Sequence, residues 1–164
     1  MKKLIVVIFL SLILSGCTTY RPQNDTDYEK AVSAVIDKSS ETIKFNDHAV
    51  WFPNQSTIQV RPIFALQAYN DGNIVITDQT LYFMEWDSNS NEYNTVRKID
   101  FTNVKNVKLV EFGPSRRFVI QSNSDRFDMF SFVTSEIYDS EKNIEAYKYI
   151  NSLIKKSPEA QERH

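Results

Sequence analysis

Cysteine occurs once among the 164 residues, at Cys17, so no disulfide can close within the chain. Glycine occurs three times, and beyond Gly16 only Gly72 and Gly113 remain. Neither a phosphate-cradling loop nor a dinucleotide fingerprint can be written with two isolated glycines, so nucleotide enzymology is excluded. Histidine is confined to His48 and His164, which leaves scattered carboxylates as the main metal-ligating stock. There is no basic excess: 19 Lys and Arg stand against 21 Asp and Glu, giving a net charge of −2 and no footprint for nucleic acid. Long apolar runs are missing everywhere except at the N-terminus.

There, Lys2 and Lys3 precede an unbroken run from Leu4 to Leu10, continued after Ser11 by Leu12, Ile13 and Leu14. As a helix at about 1.5 Å per residue this run reaches roughly 16 Å, against a hydrocarbon core of about 30 Å, so it reads as a processing signal and not as a span. It ends in Leu14-Ser15-Gly16-Cys17, which resembles the lipobox of bacterial lipoproteins: a branched apolar residue, two small ones and a cysteine. The resemblance implies that Leu14, Ser15 and Gly16 are read by a signal peptidase, that cleavage precedes Cys17, and that Cys17 carries the lipid. Two or three acyl chains at about 0.8 kcal/mol per buried CH₂ make such an anchor effectively permanent. An ordinary secretory signal with a chance cysteine is the alternative. Thr18 stands where an aspartate would signal inner-membrane retention, so the resemblance points to the periplasmic face of the outer membrane. A Gram-positive source would instead place the chain on the outer face of its plasma membrane.

The remainder, about 150 residues, suffices for one domain with a core of its own. Residues 1–16 read as the lipoprotein signal peptide and 17–25 as a lipidated tether. Thr26 and Glu29 form a capping box before Ala31, Val32, Val35 and Ile36 at helical spacing, which places an N-terminal helix over 26–43. Its polar face is not strongly basic, so the helix is expected to pack on the domain and not to lie on a membrane. Residues 44–157 read as a β domain with a C-terminal helix, and 158–164 as a tail. Strands are expected at Ile58–Tyr69, Asn73–Thr77, Thr80–Trp86, Tyr93–Phe101, Val104–Phe112, Arg116–Gln121 and Arg126–Phe132, separated by Asn-, Asp-, Gly- and Pro-containing turns. Asp139 or Ser140 caps the last helix. Ala146, Tyr147, Ile150, Leu153 and Ile154 make its apolar stripe, and Pro158 follows its end.

Seven strands followed by a helix resemble the pleckstrin-homology-like superfold and its GRAM-like bacterial relatives. The most specific stretch is Gly72-Asn73-Ile74-Val75-Ile76-Thr77-Asp78-Gln79-Thr80-Leu81-Tyr82-Phe83. The fold expected is therefore mainly β with helices (α+β): a seven-stranded antiparallel sandwich or barrel capped by a C-terminal helix, with an N-terminal helix added. Relatives that bind phosphoinositides use cations around the first strand-to-strand loop. Taken as Tyr69–Asn73, that loop has none, the third-to-fourth loop Asp87–Glu92 is acidic, and Asp125 is placed to offset Arg126, so phosphoinositide is not expected as a ligand.

No catalytic residue, metal or cofactor is expected. Asp47-His48 could orient a base, but neighbours in a strand point to opposite faces and no nucleophile is placed beside them. The acidic turn Asp87–Glu92 lacks the length and central glycine of a calcium loop and reads as a hairpin tip. Trp51 with Phe52, and Arg116 with Arg117, are candidate partner contacts, with core packing and solubility as the plain alternatives. The function implied is a non-enzymatic, protein-binding module anchored in the cell envelope. A carrier with a hydrophobic ligand inside a β-barrel is the alternative, and an enzyme using His48 comes third.

Overall fold

The computed structural model describes residues 25–36, 40–54, 69–112, 115–134 and 137–156. Helix α1 (Asp25–Ile36) leads into β1 (Ile43–Pro53), β2 (Asn70–Thr77), β3 (Thr80–Asp87) and β4 (Glu92–Asp100). A single 3₁₀ turn (Phe101–Asn103) leads to β5 (Val104–Phe112), β6 (Ser115–Ser122), β7 (Phe127–Thr134), the two-residue β8 (Ile137–Tyr138) and helix α2 (Ser140–Lys156). Strands β1 to β7 lie in the order β4-β3-β2-β1-β7-β6-β5, with every pairing antiparallel and β8 added to β7. Strand β1 is the central strand and joins the two halves of the sandwich.

Six of the expected strands stand where the alternation placed them. The first does not: β1 runs over Ile43–Pro53, whereas the expected strand Ile58–Tyr69 lies, apart from Tyr69, outside the described residues. The N-terminal helix is correspondingly shorter than 26–43, since it ends at Ile36 and residue 43 already pairs with Thr77 of β2.

Both faces of the sheet carry buried clusters, because alternate side chains along the same strands enter different ones. On the inner face Ala49 and Trp51 of β1 meet Ile74, Ile76, Leu81, Phe83, Phe118 and Phe130, and Ala146 and Ile150 of α2 close the end. Tyr147, Leu153 and Ile154 complete the apolar stripe of α2 against this cluster. Its start is fixed by Asp139, whose Oδ1 accepts the Lys142 amide at 2.9 Å. Val50 and Phe52 face outward and pack with Val119 and Met129. Over β2 to β4 the outer face is covered by α1, where Ala31 and Ala34 meet Val75, Tyr82, Met84 and Tyr93. The helix thus packs on the domain, and Lys30 lies 5.0 Å from the Trp86 ring.

Two local devices set the register of β2. Thr77 Oγ1 accepts the amides of Gln79 and Thr80 at 3.1 and 2.8 Å, which closes the β2–β3 turn. Gly72 lets β2 approach β3: a Cβ at this position would sit 2.3 Å from the Met84 carbonyl oxygen. The positive-φ residues Asn54, Asn91 and Asp125 stand at strand ends and turns, where short polar side chains tolerate that conformation. Among the described residues no helix is long and apolar enough to cross a membrane.

Candidate functional site

The alternation of β7 places Asp128 on the inner face in line with Phe130 and Phe132, a carboxylate where the pattern calls for an apolar residue. It is 1% exposed and therefore needs partners. Trp51 Nε1 donates to Oδ1 at 3.0 Å, and Arg97 donates to Oδ2 through Nε at 3.0 Å and Nη2 at 2.6 Å. Arg126 adds a longer contact at 3.4 Å. One buried carboxylate thus fixes two guanidinium groups that come from the two halves of the sheet order, on either side of β1.

These cations line a groove of about 480 Å³. Arg97, Lys98 and Asp100 of β4 form one wall with Asn103 of the 3₁₀ turn, and the β6–β7 turn from Ser122 to Arg126 forms the other. The walls are joined by the Asn123 amide donating to the Asn103 carbonyl at 2.9 Å. Lys98 reaches Asp100 at 3.5 Å and lies 5.5 Å from the Tyr82 ring. Tyr82 first, and Asp100 after it, hold the Lys98 ammonium above its ordinary pKa, so it stays charged at neutral pH.

The residues singled out from the sequence lie elsewhere. Trp51 and Phe52 are buried on opposite faces of β1, so neither ring is offered to a partner, and core packing is their role. Arg116 and Arg117 part company in the same way. Arg116 is exposed and pairs with Glu111 at 3.1 Å, a surface ion pair of small consequence. Arg117 is buried, with its guanidinium carbon 4.7 Å from the Phe52 ring and 4.1 Å from the Tyr138 ring. Burial lowers its pKa, and Tyr138 counters that shift. Cys17, Leu14, Ser15 and Gly16 lie outside the described residues.

Asp47 and His48 do turn to opposite faces. Asp47 pairs with Lys142 of α2, while His48 is buried with Nε2 2.6 Å from Asp71 Oδ1. Asp87 to Glu92 is a hairpin tip, closed by the Asn91 amide on the Asp87 carbonyl at 2.8 Å. Among the described residues no three His, Cys, Asp or Glu side chains are grouped to hold a metal ion.

No family model matches the chain, and no curated protein does. Solved structures do. One is human RhoA in complex with the DH/PH fragment of PDZRHOGEF, at 9% identity, covering 82% of this chain and 34% of that one with a TM-score of 0.52. Another is Vav1 held by an allosteric inhibitor, at 8% identity over 80% of this chain and 33% of that one, TM-score 0.51. The chain spans about a third of the length of these structures, and at such identity the likeness concerns architecture alone. The fold is pleckstrin-homology-like.

This PH-like strand order also corrects the argument against phosphoinositides. Strand β1 ends at Pro53 and β2 begins at Asn70, so the first connection is the segment 54–69, which includes Arg61, and not Tyr69–Asn73. Asp125 does not offset Arg126 either: it accepts from Lys105 and Gln121, each at 2.9 Å. These two premises fall, the acidic β3–β4 tip Asp87–Glu92 stands, and phosphoinositide binding is not excluded. The Arg97–Asp128 pair went unnoticed in the sequence, although an Asp between Phe127 and Met129 in an apolar strand was a signal that a buried cation would be required.

Proposed function

We propose that the chain is a lipid-anchored module of a bacterial cell envelope that recruits another envelope protein and catalyses no reaction. The observation that carries the reading is the succession of Leu14-Ser15-Gly16-Cys17, a short polar stretch, and a helix packed on a PH-like sandwich. That succession is what a globular binding domain on a short membrane tether requires. Thr18 favours the periplasmic face of an outer membrane. The non-enzymatic part of the reading draws on His48, which is buried with Nε2 2.6 Å from Asp71 Oδ1, and on Asp128, whose oxygens are occupied by Trp51 and Arg97.

The carrier alternative finds no support among the described residues of the interior. The Trp51 ring lies tilted 5.7 Å from Phe83 and stacked 6.4 Å from Phe130, and Phe118 lies 5.7 and 6.2 Å from Phe130 and Phe132. Among the described residues these contacting rings occupy the inner face of the sheet, which favours a packed core over a carried ligand.

Two measurements test the proposal. Mass spectrometry of the product from native membranes is expected to show an N-terminal, lipid-modified Cys17, and an intact leader or a bare thiol would remove the anchor from the argument. Affinity capture from solubilised envelopes is expected to retain a defined protein with the wild type, and a Cys17→Ala version is expected to lose the membrane fraction but not the protein contact. Capture of a lipid or small ligand with no protein would defeat the recruitment reading.

A further inference from the structure

We infer that the groove between β4 and the β6–β7 turn receives an acidic segment of the protein partner, with Arg97 and Arg126 binding one Asp or Glu carboxylate. The inference rests on the recruitment reading and adds the chemistry of what is recruited.

Charge balance comes first. Around the groove, Lys98 and Asp100 neutralise one another, and the two guanidinium groups share the single carboxylate of Asp128. Glu41 adds a further acid on the Lys98 side, so the excess of one positive charge belongs to the cluster of Arg97, Arg126 and Asp128, where it can take a monoanion. A phosphate monoester, with close to two negative charges, would be set beside Asp100 with only one charge to meet it.

Orientation comes second. Arg97 commits Nε and Nη2 to Asp128 and is still 19% exposed along the groove, while Arg126 is 39% exposed and spends only a long contact on the same carboxylate. Each guanidinium carries five donors in a planar fork, so the buried carboxylate aims the forks without exhausting them. Such prior fixing reduces the side-chain ordering that binding would otherwise require.

The walls are the third observation. Asn103, Ser122, Asn123 and Ser124 each carry a group that both donates and accepts. A peptide backbone needs both kinds of partner, whereas a phosphate needs donors only. The volume of about 480 Å³ falls within the range of roughly 300–1,000 Å³ typical of ligand sites and leaves room for the residues flanking an acidic side chain.

The test uses the full chain in detergent micelles, labelled with ¹⁵N, and a capped pentapeptide alternating glycine with glutamate. The peptide is expected to shift the amides of Ser122 to Arg126 and the Nε–H signals of Arg97 and Arg126, and its glutamine counterpart is expected to bind about tenfold more weakly, the worth of a charge-assisted hydrogen bond. Arg126→Gln, at an exposed position, should lose about tenfold in affinity with the thermal midpoint held. Because Arg97→Gln alone strands Asp128, the neutral pair Arg97→Gln with Asp128→Asn serves as the second variant and should lose binding as well. Equal binding of the glutamine peptide, undiminished binding by Arg126→Gln, or the same resonances moving with inorganic phosphate at lower concentration than with peptide would each overturn the assignment. Envelope capture separates the two readings. A partner retained equally by Arg126→Gln sinks the groove and leaves recruitment standing, while peptide binding without any captured protein does the reverse.

Discussion

Trp51 and Asp128, 77 residues apart, meet through an indole N–H donated to a carboxylate oxygen at 3.0 Å, and this contact ties the central strand β1 to β7 inside the sandwich. The same carboxylate holds Arg97, so a polar knot stands at the rim of an aromatic core. A buried ion pair gains little over an apolar replacement, yet removing one partner alone strands the other.

Asp128→Ala is therefore expected to destabilise the domain by about 3–5 kcal/mol, and Asp128→Asn, which still accepts from Trp51, by clearly less. Urea unfolding followed by Trp fluorescence measures both. Equal losses in the two variants would mean that the charge, and not the retained hydrogen bond, is what the knot depends on.

The expected fold and the observed one agree in architecture because β2 to β7 carry clean alternation and turn residues at their ends. Strand β1 was illegible for a physical reason. Asn46, Asp47 and His48 look like loop residues in a local window, but each is satisfied by a distant element: Asn73, Lys142 and Asp71 respectively. Local pattern cannot show a partner elsewhere in the chain, and the capping box at Thr26 drew the helix across the gap instead. The groove escaped notice in the same way, since Arg97 lies in a strand with mostly exposed side chains and acquires its meaning from Asp128, across the fold. Trp51 and Phe52 show the converse: an aromatic pair that resembles a contact patch in sequence is divided by strand alternation between two cores.

Gly72→Ala tests the close approach of β2 to β3. A Cβ 2.3 Å from the Met84 carbonyl oxygen, and 3.0 Å from the Phe83 ring, forces backbone to move, because a carbonyl in a paired strand has no rotamer to change. A loss of about 1–3 kcal/mol is expected, the usual cost of overpacking. Calorimetry should show a lower midpoint, and an unchanged one would mean that the β2–β3 pair is more compliant than its spacing suggests.

Asn143 locks α2 to the sheet through both amide hydrogens and its amide oxygen. Its Oδ1 accepts the Phe132 amide at 2.9 Å, and its Nδ2 donates to the Arg116 carbonyl and to Ser131 Oγ at 2.8 and 2.9 Å. Replacing this buried side chain with alanine leaves backbone groups of β6 and β7 without their partner, a loss of about 2–3 kcal/mol. Hydrogen exchange of the Phe132 amide gives a local readout: it should accelerate in Asn143→Ala, and retained protection would show that a water takes over the role.

Asp125 and Tyr82 each make stability depend on pH, one toward acid and the other toward base. Asp125 has its pKa lowered from 3.8 by the hydrogen bond from Lys105 and then by that from Gln121. A folded value below the unfolded one stabilises the fold fully above pH 3.8, and the contribution disappears as the pH falls through the folded value. Tyr82 has its pKa raised above 10.0, first by burial and then by its hydrogen bond to Glu41. Its contribution is complete below pH 10.0 and disappears as the pH rises through the folded value. Thermal midpoints recorded against pH should therefore fall less steeply at the acid end in Asp125→Asn than in the wild type, and less steeply at the alkaline end in Tyr82→Phe. Since Asp125 is exposed, the acid difference should also shrink in high salt, whereas the Tyr82 difference, which begins with desolvation, should persist. Parallel curves for variant and wild type at either end would show that the titrating group is another one.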